Sequence, residues 1–154
     1  METHAVETPE QATATDGVAT PGTLSEAMRL YGDLDVATMA LAAARWGDGI
    51  ECLHCHSRLK HFYISTRRIW RCRSCRKQFS PKVGTIFEDS PIGLDRWLIA
   101  VWIVANFPQS ISSYKLHQFL RVTQTTAQLM LRRIRLAVLA HEQDKCGQPA
   151  VPAP

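Results

Sequence analysis

Cys52-Leu53-His54-Cys55 and Cys72-Arg73-Ser74-Cys75 are two C-x2-C pairs separated by 16 residues. That spacing falls in the window of a zinc site. Each C-x2-C turn aims two sulfurs at one ion, and two such turns complete a tetrahedron. The intervening residues are enough for a β-hairpin that returns the chain to the metal. Four thiolates leave no open coordination position, so one structural Zn²⁺ is expected, not a catalytic one. The competing chemistry is thiol–disulfide exchange, which needs a βαβ context that neither pair has. His54, His56 and His61 lie near enough to replace a thiolate, but with four cysteines in register they are read as bystanders. Cys146 falls in a polar tail and is expected to be a free thiol.

The residues around the cysteines are strongly basic. Arg58, Lys60, Arg67, Arg68, Arg71, Arg73, Arg76, Lys77 and Lys82 lie within residues 52–87, where no acid occurs. Residues 1–51 carry nine acids against Arg29 and Arg45, so the net +4 of the whole chain hides this concentration. Zinc with four thiolates adds only about −2. A field of this kind points to a polyanionic partner, because phosphates held by several Lys and Arg release counterions. Phe62, Tyr63, Trp70 and Phe79 are interleaved with the charges. They are expected to pack the small ribbon core, since so short a module cannot build a large one.

Outward from the ribbon, the pattern becomes helical on both sides. Leu24, Met28, Leu30, Tyr31, Leu34, Val36, Met39, Leu41 and Ala44 repeat at helical spacing, broken near Gly32-Asp33, which predicts two short helices. His61–Ile64 and Ile69–Cys72 are β-prone around a turn at Ser65–Arg68, and Gln78–Ser80 and Thr85–Phe87 are further strand candidates. Helices are expected over Leu94–Asn106, Ser113–Leu120 and Gln124–Ala140. The predicted fold class is α+β: a small four-cysteine zinc ribbon of short β-hairpins flanked by helices, with a C-terminal three-helix, helix-turn-helix-like unit. The boundaries read as a disordered tail over 1–22, N-terminal helices over 23–49, the ribbon over 50–90, the helical unit over 91–141 and a second disordered tail over 142–154. Both tails are too poor in bulky apolar residues to offset their ordering entropy.

In the helical unit, Ser112 or Ser113 caps one helix and Thr123 the next, across a tight turn at Arg121-Val122. The last helix places Ala127, Met130, Leu131, Ile134 and Val138 on one stripe. Gln124, Thr125, Gln128, Arg132 and Arg135 are assigned to its other face, the position from which a recognition helix reads a DNA groove. If Arg121 must adopt positive φ, where glycine is favoured, it costs about 1 kcal/mol. The helix Trp97–Val104 is apolar all round and is expected to be buried against the other two helices, or partly against a missing neighbour.

These segments resemble the N-terminal part of bacterial zinc-ribbon insertion-sequence transposases. The likeness runs through Arg45–Cys52, Trp70–Ser80, Val83–Ser90, Ile111–Ser113, Val122–Ala127 and Met130–Arg135. It departs at His56, where such knuckles favour glycine, at Arg76, and at His117, Phe119 and Arg121, where small, acidic and glycine residues are expected. The resemblance implies binding to double-stranded DNA at transposon ends, with the nine basic ribbon residues and the last helix as contacts. It also implies a DDE-type core holding two Mg²⁺ on three carboxylates. Beyond the last expected helix only Glu142 and Asp144 are acidic, and Glu88, Asp89 and Asp95 read as helix-start charges. The expectation is a DNA-binding module with no catalysis of its own. Two alternatives stay open: a DNA-binding subunit whose catalytic core is a separate chain, and a ribbon that binds RNA or another protein. No secretory segment is visible, and the longest apolar run, Trp97–Ala105, is far short of the about 20 residues that span a bilayer. A cytoplasmic, nucleoid-associated protein without a membrane partner is expected.

Overall fold

In a computed structural model, residues 21–146 are described, with side chains through Glu142; of the tails expected over 1–22 and 142–154, residues 1–20 and 147–154 lie outside them. The described chain runs α1 (Leu24–Tyr31), α2 (Leu34–Trp46), β1 (Phe62–Ile64), β2 (Ile69–Arg71), β3 (Gln78–Phe79), α3 (Leu94–Asn106), α4 (Ser113–Leu120) and α5 (Gln124–Cys146). The strands form one antiparallel sheet in the order β1-β2-β3.

Side-chain caps explain where most of the helices start. Thr23 and Glu26 form a reciprocal capping box on α1, and Asp33 accepts from the backbone N–H groups of Asp35 and Val36 to start α2. Ser112 caps α4 through Lys115 N–H, and Thr123 Oγ1 accepts from Thr126 N–H at the head of α5. Each such cap contributes about 1 kcal/mol by satisfying an otherwise orphaned donor. Gly32 ends α1, and Asp33 restarts the chain as α2 after one residue.

Two apolar clusters organise the molecule. The larger surrounds α3, whose Trp97, Ile99, Ala100, Trp102, Ile103 and Val104 are buried against residues of the other four helices. The indole N–H of Trp97 donates to Ser90 Oγ at 2.9 Å, and that of Trp102 to the Pro21 carbonyl at 2.8 Å. Neither of these large rings therefore has an unsatisfied polar tip, as burial of a Trp requires. The smaller cluster is the ribbon core: Cys52, Cys72, Trp70 and Phe79 with Ala42 of α2. Trp46, the last residue of α2, stacks edge-on against both Trp70 and Phe79, at 5.7 and 5.8 Å. The ribbon is thus seated on α2.

Three features differ from the sequence expectation. Thr85–Phe87 is not a strand: Pro81–Ser90 winds through successive turns in which N–H groups bond the carbonyls three residues back. Two long side chains hold that segment in place of a sheet. Arg45 donates to the Pro81 and Val83 carbonyls, and Arg133 to those of Ile86 and Glu88. The last helix continues past Ala140 to Cys146, through the start of the segment expected to be a disordered tail. Val138 is 49% exposed, because the described contacts of α5 with the body end near Ile134.

Candidate metal centre and nucleic-acid interface

The two cysteine turns are built alike. Cys52 N–H donates to the Ser57 carbonyl at 3.0 Å, and Cys72 N–H to the Lys77 carbonyl at 2.9 Å. In each turn the residue just after the second cysteine is left-handed, His56 at φ 55° and Arg76 at φ 60°. These are the positions where the sequence departs from glycine. The hairpin β1–β2 carries the chain from one knuckle to the other, pairing Phe62 with Arg71, Tyr63 with Trp70 and Ile64 with Ile69.

The four sulfurs fit one tetrahedral ion. All ligand atoms lie within 4.8 Å of one another, with Cys52 Sγ 3.7 Å from Cys75 Sγ and Cys55 Sγ 3.6 Å from Cys72 Sγ. A tetrahedron with Zn–S near 2.3 Å requires S···S of about 3.8 Å. Backbone N–H groups of Cys75 and Ser74 help pull the Cys72 thiol down to about 6. At Cys55 the Ser57 backbone acts in the same downward direction. Desolvation and the sulfurs of Cys72, Cys75 and Cys52 nevertheless carry it up to about 12. Four thiolates at this spacing repel one another, and a divalent cation removes the conflict. The cluster suits one structural zinc, which clamps both knuckles when bound.

The neighbouring histidines have other partners. His54 Nε2 lies 3.2 Å from the Gln78 carbonyl, and His56 Nδ1 2.9 Å from Glu51 Oε1. His61 Nε2 faces the carbonyls of Ile50 and Ser57 at 3.1 Å each, which requires that nitrogen to carry the proton. Its ring packs edge-on against Phe79.

The basic residues divide into engaged and free groups, which composition could not show. Acids from outside the basic block pair with two of them: Glu51 binds Arg58 at 3.0 Å, and Asp35 of α2 lies 3.0 Å from Arg68 Nε. The second is an ion pair by distance only, since its angle does not make a hydrogen bond and Arg68 Nε has no hydrogen-bond partner. Tyr63 Oη donates to the same Asp35 oxygen at 3.2 Å. Lys82 Nζ donates to the Ser90 carbonyl at 3.0 Å, and burial holds its pKa below the ordinary lysine value against the pull of Asp89. Lys60, Arg67, Arg71, Arg73, Arg76 and Lys77 are exposed, and none has an acid partner among the described residues. Arg67, Arg68 and Lys82 line one cavity of about 200 Å³ with Ser80 and Ser90. Arg71, Arg73 and Arg76 line another, more open one with Phe62. Phe62 is exposed, unlike the other three ribbon aromatics, although all four were expected in the core.

At the helical end, α4 and α5 are joined by a turn in which Arg121 sits at φ 50°, ψ 44°. The left-handed position expected of a glycine is therefore occupied by an arginine. Leu116, Leu120, Ala127, Met130, Leu131 and Ile134 are buried between these helices and α3. Gln124, Thr125, Gln128 and Arg132 are exposed on α5. Arg135 is exposed too, but its guanidinium donates to the Ile111 carbonyl at 3.2 Å. Sequence reasoning missed the roles of Arg45, Arg133 and Phe62. The only local signal for Phe62 was its strand position opposite Arg71.

Residues 34–78 match a family model described as the transposase zinc-ribbon domain. Over 77 residues the chain is 34% identical to a protein of Halobacterium salinarum described as an uncharacterized protein in transposable element ISH50. The alignment covers 49% of this chain and 26% of the relative, so the matched region spans about a quarter of that protein's length. No solved structure matches. No helix among the described residues is long and apolar enough to cross a membrane.

Proposed function

We propose that the chain, whose residues 34–78 match the transposase zinc-ribbon domain, is a DNA-binding module in which ribbon and α5 together recognise double-stranded DNA at element ends and which performs no strand chemistry itself. The observation that carries this reading is the set of exposed basic side chains on the ribbon, Arg67, Arg71, Arg73, Arg76 and Lys77, with no acid partner among the described residues. Zinc supplies rigidity, holding both knuckles so that these side chains leave one small scaffold at fixed spacing. Non-specific affinity then comes from phosphate contacts, and α5 supplies base contacts through Gln124, Thr125, Gln128 and Arg132. Arg58, Arg68, Lys82 and Arg135 are secondary contributors in this scheme, since each already has a protein partner.

The test is a salt titration of binding to terminal-repeat and random duplexes. Replacing Arg67, Arg71 and Arg73 together should weaken binding to both and flatten the slope of log affinity against log salt by about 0.9 per lost phosphate contact. Replacing Gln124 or Gln128 should lower only the preference for the element end, by about 1–3 kcal/mol per base contact. Identical behaviour of the two mutant sets would refute this division, and no binding by the wild type would refute the module itself.

A second reading, service to a catalytic core on another chain, is favoured by Leu136, Val138 and Leu139. All three are about half exposed on the distal part of α5. Co-expression with such a core should protect them from hydrogen exchange and solvent labelling.

A further inference from the structure

The outer face of the ribbon sheet carries an aromatic ring that the core does not use. The antiparallel register sets Phe62 opposite Arg71 and Arg71 opposite Gln78, while Tyr63, Trp70 and Phe79 form the adjacent row. Successive strand residues point to opposite faces. Trp70 and Phe79 are buried against Trp46, which marks their row as the inner face. Phe62, Arg71 and Gln78 therefore form a row across the outer face, where Phe62 is 54% exposed.

Guanidinium groups surround that ring. Arg73 lies over it, 4.6 Å from the centroid. Phe62, Arg71, Arg73 and Arg76 line an open groove of about 410 Å³ with Cys72 at its wall. Arg76 occupies it from a left-handed backbone position that glycine would fill at lower cost. No acid neutralises the three arginines among the described residues.

An aromatic platform inside a positive groove is the combination that holds single strands: bases stack on the ring or on a guanidinium plane, and phosphates meet the charges. A base paired inside a duplex offers no free face to such a platform, because the pairs on either side already cover it. We propose that the outer face of the β1–β2–β3 sheet, centred on Phe62 and Arg73, is a stacking site for an unpaired nucleotide of single-stranded nucleic acid. The inference rests on the nucleic-acid reading above and adds to it a ligand class that duplex binding does not require.

The experiment uses the zinc-loaded full chain and duplexes bearing a short overhang with 2-aminopurine either in the overhang or within the duplex. Binding should quench the overhang probe and leave the duplex probe unchanged. Phe62→Ala should abolish the quench and weaken overhang binding about tenfold or more, the scale of one lost base–aromatic stack. Its zinc content and blunt-duplex affinity should stay at the wild-type level, and Phe62→Trp should retain the quench. Parallel DNA and RNA overhangs tell which strand is preferred; quenching of either supports the site. Blunt-duplex binding without any overhang quench, or a quench that survives Phe62→Ala, would overturn this inference and leave the duplex reading intact. Failure to bind any nucleic acid would overturn both.

Discussion

Replacing Arg121 by glycine should stabilise the protein. The arginine sits at φ 50°, ψ 44° between α4 and α5. A side chain with a Cβ pays about 1–2 kcal/mol in the left-handed region. Glycine removes that cost but gives up about 0.5–1 kcal/mol of extra chain entropy in the unfolded state. The charge contributes little to the balance. Arg121 follows the C-terminal end of α4, where a cation is favoured, and precedes the N-terminal end of α5, where it is disfavoured. The residue is exposed, so no packing is lost. The expected gain is thus about 0.5–1 kcal/mol, which raises Tm by about 2–5 °C for a domain of this size. Arg121→Ala serves as the control: it removes the same charge and keeps the backbone cost, so it should not raise Tm. The assay is paired thermal and urea unfolding of wild type, Arg121→Gly and Arg121→Ala with saturating zinc. A glycine variant no more stable than the alanine variant would refute the left-handed strain on which the reasoning depends.

Purified protein should hold one zinc per chain, and Cys72→Ala should release it and expose the ribbon core to hydrogen exchange; full zinc retention in that variant at neutral pH would show the ligand set to be wrong. Glu51 is held below the ordinary carboxylate pKa by its hydrogen bond with His56 and then by Arg58. The folded state therefore binds this proton less readily than the unfolded chain. The contact adds stability above the unfolded pKa and loses it as pH falls through the folded value. Carboxylate NMR should show the low midpoint, moving back toward normal in His56→Ala; no movement would contradict the pairing. Nicking and strand-transfer assays of the 154-residue chain with Mg²⁺ or Mn²⁺ should be blank. Activity that survives purification and disappears in Glu88→Gln or Asp95→Asn would overturn the assignment of those acids to structure, where Glu88 accepts from Gly84 N–H.

Features set by neighbours within one turn or one hairpin were legible in the chain itself. The ligand set Cys52, Cys55, Cys72 and Cys75 follows from spacing, because two C-x2-C turns at this separation and outside a βαβ context aim four sulfurs at one point. The break at Gly32-Asp33, the β1–β2 hairpin and the caps Ser112 and Thr123 are local for the same reason. The left-handed backbone at His56 and Arg121 was foreseeable too, since each occupies a position where such a turn favours glycine.

Tertiary structure decided what composition averages away. The basic block contains no acid, yet Asp35 and Glu51 reach Arg68 and Arg58 from outside it, so the free charge is smaller than the sequence implies. Thr85–Phe87 has β propensity, but a strand needs a neighbour with open hydrogen bonds. Here Arg45 and Arg133 instead take up carbonyls along the surrounding turns, those of Pro81, Val83, Ile86 and Glu88. Phe62 and Tyr63 are adjacent aromatics with the same propensity. Only the pairing of Tyr63 with a buried Trp70 turns one ring inward and leaves the other in water, since a one-residue change of register exchanges the two faces.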